Sequence, residues 1–227
     1  MLGATMEPGR TRNPPRQRAT LVNTRSRETR LALTRAALDL WSAGDFNEAY
    51  EASTVGDIAQ AAGVSKGTFY FHFANKEAIL LEMSSATIQA MIDQVEAETV
   101  RNVPLTSLSE QVMGSMARRV VRAPRAAALR AGALGFTGQA PEGTVPSPRL
   151  SVAFETLLRY GRERGELGPR IDVEDVAAML TAVTMEAIIR WGAGDRTAAW
   201  LSQTLRDRVA VILRGISCPD ADQPSQG

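Results

Sequence analysis

Ser65, Lys66, Gly67 and Thr68 stand together, with Tyr70, His72 and Lys76 close behind them. These side chains suit contacts to a nucleic acid. Lys66 can donate to guanine or to a phosphate, and Thr68 offers a hydroxyl, or a methyl for thymine. Tyr70 and His72 can donate to backbone phosphates. Gly67 carries no side chain, so its backbone can approach a partner closely. Lys76 would stand on the first turn of a following helix, where free N–H groups already attract an anion. Thr54, at the start of the preceding helix, completes the candidate set.

Two other chemistries deserve weighing on the same residues. Gly63-Val64-Ser65-Lys66-Gly67 has the spacing of a serine hydrolase's nucleophile elbow. That turn needs a strand before the serine, and here a helix precedes it. His72, the single histidine, would lie about 10 Å along the same helix and could not serve Ser65 as a base. Phe69, Phe71 and Phe73 suggest a stacking platform, but Phe69 and Phe73 are spaced i, i+4 and read as core. Phe71 stays open.

The elements that must position these residues are helical. Leu33, Ala37, Leu40 and Trp41 mark the buried face of a first helix, about Ser26–Ala43. Thr54 is the N-cap of a second, Val55–Ala62, with Asp57 three residues on. Gly63 permits the left-handed turn that stops it. Ser65 caps a third, about Lys66–Phe71, and Asn75 a fourth, from Lys76 to about Val100. Five more are expected near Leu105–Val121, Arg125–Leu134, Arg149–Arg164, Val173–Trp191 and Thr197–Ile216. No alternating strand pattern and no internal repeat is present. Two short helices around a glycine turn, with polar residues opening the second, make a helix-turn-helix. Such a helix places its N-terminal residues at the base edges of a major groove.

Composition narrows the classes. The 227 residues are 44% hydrophobic and 22% charged, and they form no apolar run long enough to span a bilayer. No secretory signal is recognisable. Cys218 is the single cysteine, so neither a disulfide nor a zinc finger is expected, and the cytoplasm is the expected compartment. The net charge of +1 divides unevenly. Residues 1–76 hold 10 basic and 7 acidic side chains, and the remainder holds 16 and 18. Basic character gathers in the N-terminal third, as an anionic partner there would favour. Residues 1–23, with Pro8, Pro14, Pro15 and four arginines, read as a disordered basic tail. Residues 218–227 read as another, and Gly138–Pro148 as loop.

The stretch resembles the DNA-binding domain of the TetR family of bacterial transcriptional regulators. The matching residues are Ala36-Ala37-Leu38 with Trp41, Thr54-Val55, Ile58-Ala59, Ala62 through Tyr70, His72-Phe73 and Lys76-Glu77. The resemblance covers about Arg30–Leu81. It implies an all-α chain with a three-helix DNA-binding domain at 24–81. A larger helical domain for effector binding and dimerisation would occupy 82–217, about nine helices in all. It also implies a homodimer. This sequence departs from the family pattern at Gly44–Ala49, where about four extra residues lengthen the first connection.

In the C-terminal part, the helix after Asp172 is apolar on two sides. Leu180, Val183, Ala187 and Trp191, with Leu201, Leu205, Val209 and Ile212 of the last helix, are the expected dimer interface, with packing within the chain as the alternative. Met83, Met113, Met116, Phe136, Phe154, Met179 and Met185 are the candidate effector lining, suited to a small lipophilic molecule, although each of them reads first as a core residue. Arg118, Arg119, Arg122, Arg125 and Arg130 read first as a solvated charge run, with an acidic effector as the alternative. Arg25, Arg27 and Arg30 are further candidates for phosphate contact. Glu186 reads equally as a pocket acid, a dimer contact or an exposed residue.

The expected function is a ligand-responsive repressor, released from a palindromic DNA operator by a small molecule, without catalysis, cofactor or metal. An activator, or a regulator answering a protein partner, shares every feature above. An all-helical binding protein or enzyme would be distinguished by lacking salt-dependent DNA binding.

Overall fold

The computed structural model describes residues 15–99, 101–137 and 149–217. Among them are ten α-helices and no strand, apart from an isolated antiparallel bridge between Leu167 and Ser217. The helices are α1 Pro15–Trp41, α2 Phe46–Ala52, α3 Val55–Ala61, α4 Lys66–His72 and α5 Lys76–Glu98. There follow α6 Leu105–Val120, α7 Arg125–Thr137, α8 Leu150–Glu163, α9 Val173–Gly192 and α10 Ala198–Ile216.

Two features differ from the sequence expectation. α1 starts at Pro15 rather than near Ser26. Proline is tolerated in a first helical turn, where its missing N–H would have no partner anyway. Of the expected tail, residues 15–23 are therefore helical, and residues 1–14 lie outside the described residues. So do Gly138–Pro148 and the tail from Cys218.

The second difference is the extra helix α2, which makes the count ten. The residues expected only to lengthen a connection are nucleated by Asp45. Its carboxylate accepts from the backbone N–H groups of Asn47 (2.9 Å) and Glu48 (3.0 Å). Phe46 and Tyr50, one turn apart, then stack at 5.9 Å between centroids and both pack against Trp41. The Trp41 indole N–H donates to Ser53 Oγ at 2.8 Å, so this buried donor is satisfied.

Two apolar cores result. The N-terminal core gathers Leu33, Ala37 and Trp41 of α1 with Phe46, Tyr50, Ile58, Phe69, Phe73, Ile79 and Leu80. It also takes in Ala127 and Ala131 of α7. The C-terminal core is built by α5, α6, α8, α9 and α10 around Met113, Phe154, Leu158, Leu180 and Leu205. α7 therefore stands between the two cores. Toward α9 it packs closely: a Cβ at Gly132 would fall 2.8 Å from Met185 Cε, and one at Gly192 would fall 2.3 Å from Leu129 Cγ. The two glycines are the notches that let these side chains seat.

Candidate nucleic-acid interface

The helix-turn-helix is held by its own caps. Thr54 N–H donates to Asp57 Oδ2 at 2.8 Å, and Asp57 N–H returns to Thr54 Oγ1 at 3.2 Å. These bonds to Thr54, its backbone first, hold the Asp57 carboxyl below its ordinary range. Gly63 takes φ +69° and ends α3, and Val64 N–H reaches back to Ala59 O at 2.9 Å. Ser65 Oγ accepts from Thr68 N–H at 3.0 Å and starts α4. The inner face of α4 is fixed by Phe69, fully buried, and by Phe73 just beyond it, 5.8 Å apart between ring centroids.

With that face buried, the opposite face of α4 is turned to solvent. Lys66 and Gly67 are exposed and Thr68 is half-buried. Tyr70 is 53% exposed and Phe71 79%. Phe71, left open by the sequence, is thus neither core nor partly covered. An ammonium, a hydroxyl, a phenol and an apolar ring lie on one short rigid helix, a set that can address base edges and phosphates together.

Several expected contacts are committed elsewhere. Lys76 is turned inward: its Nζ donates to Tyr50 O at 2.5 Å and to Ser53 O at 3.3 Å, and lies 4.3 Å from the Tyr50 ring centroid. It satisfies carbonyls at the end of α2, a site that exists because of the extra helix. The Thr54 hydroxyl donates to Asp57 at 2.7 Å, and the Ser65 hydroxyl pairs with Thr68 Oγ1 at 2.8 Å. Both therefore serve first as caps. His72 is half-buried, and burial and then the Arg30 charge lower its pKa. A neutral imidazole can donate one hydrogen bond but brings no charge to a phosphate. Arg30 is engaged within the chain. It donates to both Glu82 carboxylate oxygens (2.9 and 2.7 Å) and to His72 O (2.9 Å), tying α1 to α5. Arg25 and Arg27 remain exposed.

The C-terminal expectations change more. Leu180, Ala187, Leu201 and Leu205 are fully buried, and Trp191 and Val209 nearly so. Val183 and Ile212 are partly buried. The seam read as a dimer interface is therefore occupied within the chain. Apolar positions at spacing four look the same whether the partner helix is the chain's own or a second copy's. The large outward apolar residues of α9 and α10 are Met179, Ile189 and Val211, 50–63% exposed.

Of the expected effector lining, Met113, Met116, Phe154 and Met185 sit in the C-terminal core. Met83 packs on the N-terminal core, and Met179 faces outward. The Phe136 side chain lies outside those described. A surface cleft of about 430 Å³ between α6 and α10 shares none of these residues; Thr106, Glu110, Gln203, Arg206, Asp207, Ala210 and Arg214 line it.

The arginine run splits. Arg118, Arg119 and Arg122 are exposed. Arg125 donates to Trp191 O (2.9 Å) and Arg196 O (2.7 Å). Arg130 pairs with Glu51 of α2 at 2.8 Å and lies 4.0 Å from the Tyr50 ring centroid. Glu186 is exposed and pairs with Arg208 and Arg190. The α2–α7 junction was not found from sequence. Its only signal was the departure at Gly44–Ala49.

The molecule is thus an all-helical protein with a helix-turn-helix head on a larger helical body. No helix among the described residues is long and apolar enough to cross a membrane. The family model described as "Bacterial regulatory proteins, tetR family" matches residues 33–83. The A-factor receptor protein of Streptomyces griseus is 32% identical over 179 residues, 74% of this chain and 56% of that protein. The HTH-type transcriptional regulator TcmR of Streptomyces glaucescens is 39% identical over 83 residues, 37% of this chain and 35% of that protein. The chain thus spans little more than half of the first relative and about a third of the second. The fold matches Thermus thermophilus FadR, a TetR-family repressor solved with lauroyl-CoA. That match has TM-score 0.61 and 22% identity, and covers 86% of this chain and 98% of that one. Residues 33–83 thus form a DNA-binding domain of the TetR family, and the chain as a whole is similar to that family's members.

Proposed function

We propose that the chain is a homodimeric DNA-binding regulator, a repressor released from a palindromic operator by a small molecule. The observation that carries this reading is the outer face of α4. Lys66, Thr68, Tyr70 and Phe71 stand on a capped helix whose other face is locked in the core. Each α4 enters a major groove, with Lys66, Gly67 and Thr68 toward the base edges and Tyr70 toward the phosphates. The outer faces of α9 and α10, with Met179, Ile189 and Val211, join the two subunits and set the spacing of the two helices.

Release follows from a population shift. A ligand that binds one arrangement of the C-terminal domain better than the other changes the fraction matching the half-site spacing. α7, placed between the cores, carries that change. A relative that is a receptor, and a fold neighbour solved with lauroyl-CoA, support a small-molecule effector.

The test is operator binding by Lys66→Ala/Tyr70→Ala on DNA selected from a random pool. Loss of one direct and one phosphate contact should weaken binding by about 2–4 kcal/mol, with an unchanged unfolding temperature. Equal affinity in a folded double variant contradicts the assignment of α4.

A further inference from the structure

In and beside the C-terminal core stand buried polar atoms that no group among the described residues pairs with. Among the described residues, three buried side-chain nitrogen or oxygen atoms lack a hydrogen-bond partner: Thr184 Oγ1, Trp191 Nε1 and Arg196 Nε. All three belong to α9 or to the turn after it. Elsewhere the chain satisfies such groups: Trp41 Nε1 donates to Ser53 Oγ, and the Tyr50 hydroxyl to Glu77 at 2.8 Å. Buried polar atoms are paired in the great majority of cases, so a cluster of three orphans needs a cause.

Their placement is orderly. Thr184 is fully buried and Trp191 is 3% exposed. Seven residues separate them, so they fall within about 20° of each other around the helix and about 10 Å apart along it. This stripe adjoins the one, Met185 and Gly192, that packs on α7. Arg125 links the Trp191 end to Arg196 through its two carbonyl bonds, and its guanidinium lies 5.0 Å from the Trp191 ring centroid. The charges around that end are Arg125, Arg190 and Arg196, with Asp195 and Glu186 opposing them. The Asp195 carboxylate stands 3.6 Å from Arg196 Nε, beyond hydrogen-bond reach.

We infer that the inner face of α9, from Thr184 to Trp191, is a ligand site for an elongated apolar molecule ending in a carboxylate or carbonyl oxygen. The indole and guanidinium N–H groups only donate, so the ligand end beside them must accept. The Thr184 hydroxyl both donates and accepts and suits a second polar group about 10 Å away. Ala187 and Ile188 lie between and meet an apolar body. Met185 and Leu129 are the side chains that yield, since both are flexible and seat over glycines. Entry there presses on α7, which is tied to the DNA-binding head by Arg130 and Glu51 and by Ala127 and Ala131. The inference deepens the effector reading above and rests on it for its regulatory meaning, but not for binding.

Decanoate, its methyl ester, decanol and 10-hydroxydecanoate are the probes, with calorimetric titration and thermal unfolding of the full chain as readouts. Decanoate or its ester should bind and raise the unfolding temperature, and the better of the two tells whether the acceptor is charged. Decanol should bind more weakly than the better of these. Trp191→Phe keeps an aromatic side chain, though a smaller one, and removes the donor. It should weaken that probe about tenfold. Thr184→Val should weaken 10-hydroxydecanoate and spare decanoate. Neither acceptor probe binding, or Trp191→Phe binding both as wild type does, overturns the site. Operator binding is measured separately. A site that binds decanoate in a chain that binds no DNA would leave the inference standing and remove the regulator reading.

Discussion

His72 shows how one residue divides between structure and interface. Its carbonyl accepts from Arg30 and its ring meets Phe71 edge-on at 5.0 Å. Burial, then Arg30, lowers the imidazole pKa from 6.5. The unfolded chain therefore takes up this proton first as pH falls. The stability contributed by neutral His72 is complete above the unfolded pKa and is lost as pH drops through about 6.5 toward the folded value. Between pH 7 and 5 the wild-type unfolding temperature should fall more than that of His72→Gln. Identical profiles would remove His72 as the source. Asp57 acts lower, its lowered carboxyl giving stability that is lost only below about pH 4. Residue identities at the helix-turn-helix were legible because caps and glycine turns are local. The inward turn of Lys76 was not, because its partners, Tyr50 O and Ser53 O, are supplied by a helix absent from the expected pattern.

Among elements, α2 and α7 carry the consequences. Tyr50 lies between Lys76 and Arg130, at 4.3 and 4.0 Å from its ring centroid, and its hydroxyl donates to Glu77. Tyr50→Phe removes that hydrogen bond, at about 1 kcal/mol. Tyr50→Ala also opens a cavity beside Trp41 and should cost about 3–5 kcal/mol. Urea unfolding measures both, and an alanine cost below about 1 kcal/mol would contradict a load on α2. Helices α5 to α10 were readable to within a few residues because their apolar periodicity runs for several turns. α2 spans under two turns and shows no such repeat. The start of α1 was missed because its arginine-rich first turns carry no apolar stripe. Which face of α9 and α10 meets a partner was also hidden, since both faces of α9 are apolar in sequence. Only packing shows that Leu180 and Trp191 face inward and Met179 and Ile189 outward.

At the scale of the molecule, the head and the body share α7, so the boundary expected at residue 82 is crossed by Ala127 and Ala131. Dimerisation would place two heads at a fixed separation. Met179→Glu/Val211→Glu puts charges on exposed positions, where a substitution alters the isolated fold by under about 0.5 kcal/mol. Sedimentation should then give a monomer with an intact unfolding transition and weakened binding to a two-half-site operator. A dimer that persists would move the interface elsewhere.

The most direct measurement is selection of bound DNA from a random pool, followed by titration of the selected site with salt. The account predicts a palindromic site, two copies of the chain bound to it, and affinity that falls steeply with salt as Lys and Arg displace counterions. Weak binding without sequence preference, in protein freed of bound small molecules, would contradict it.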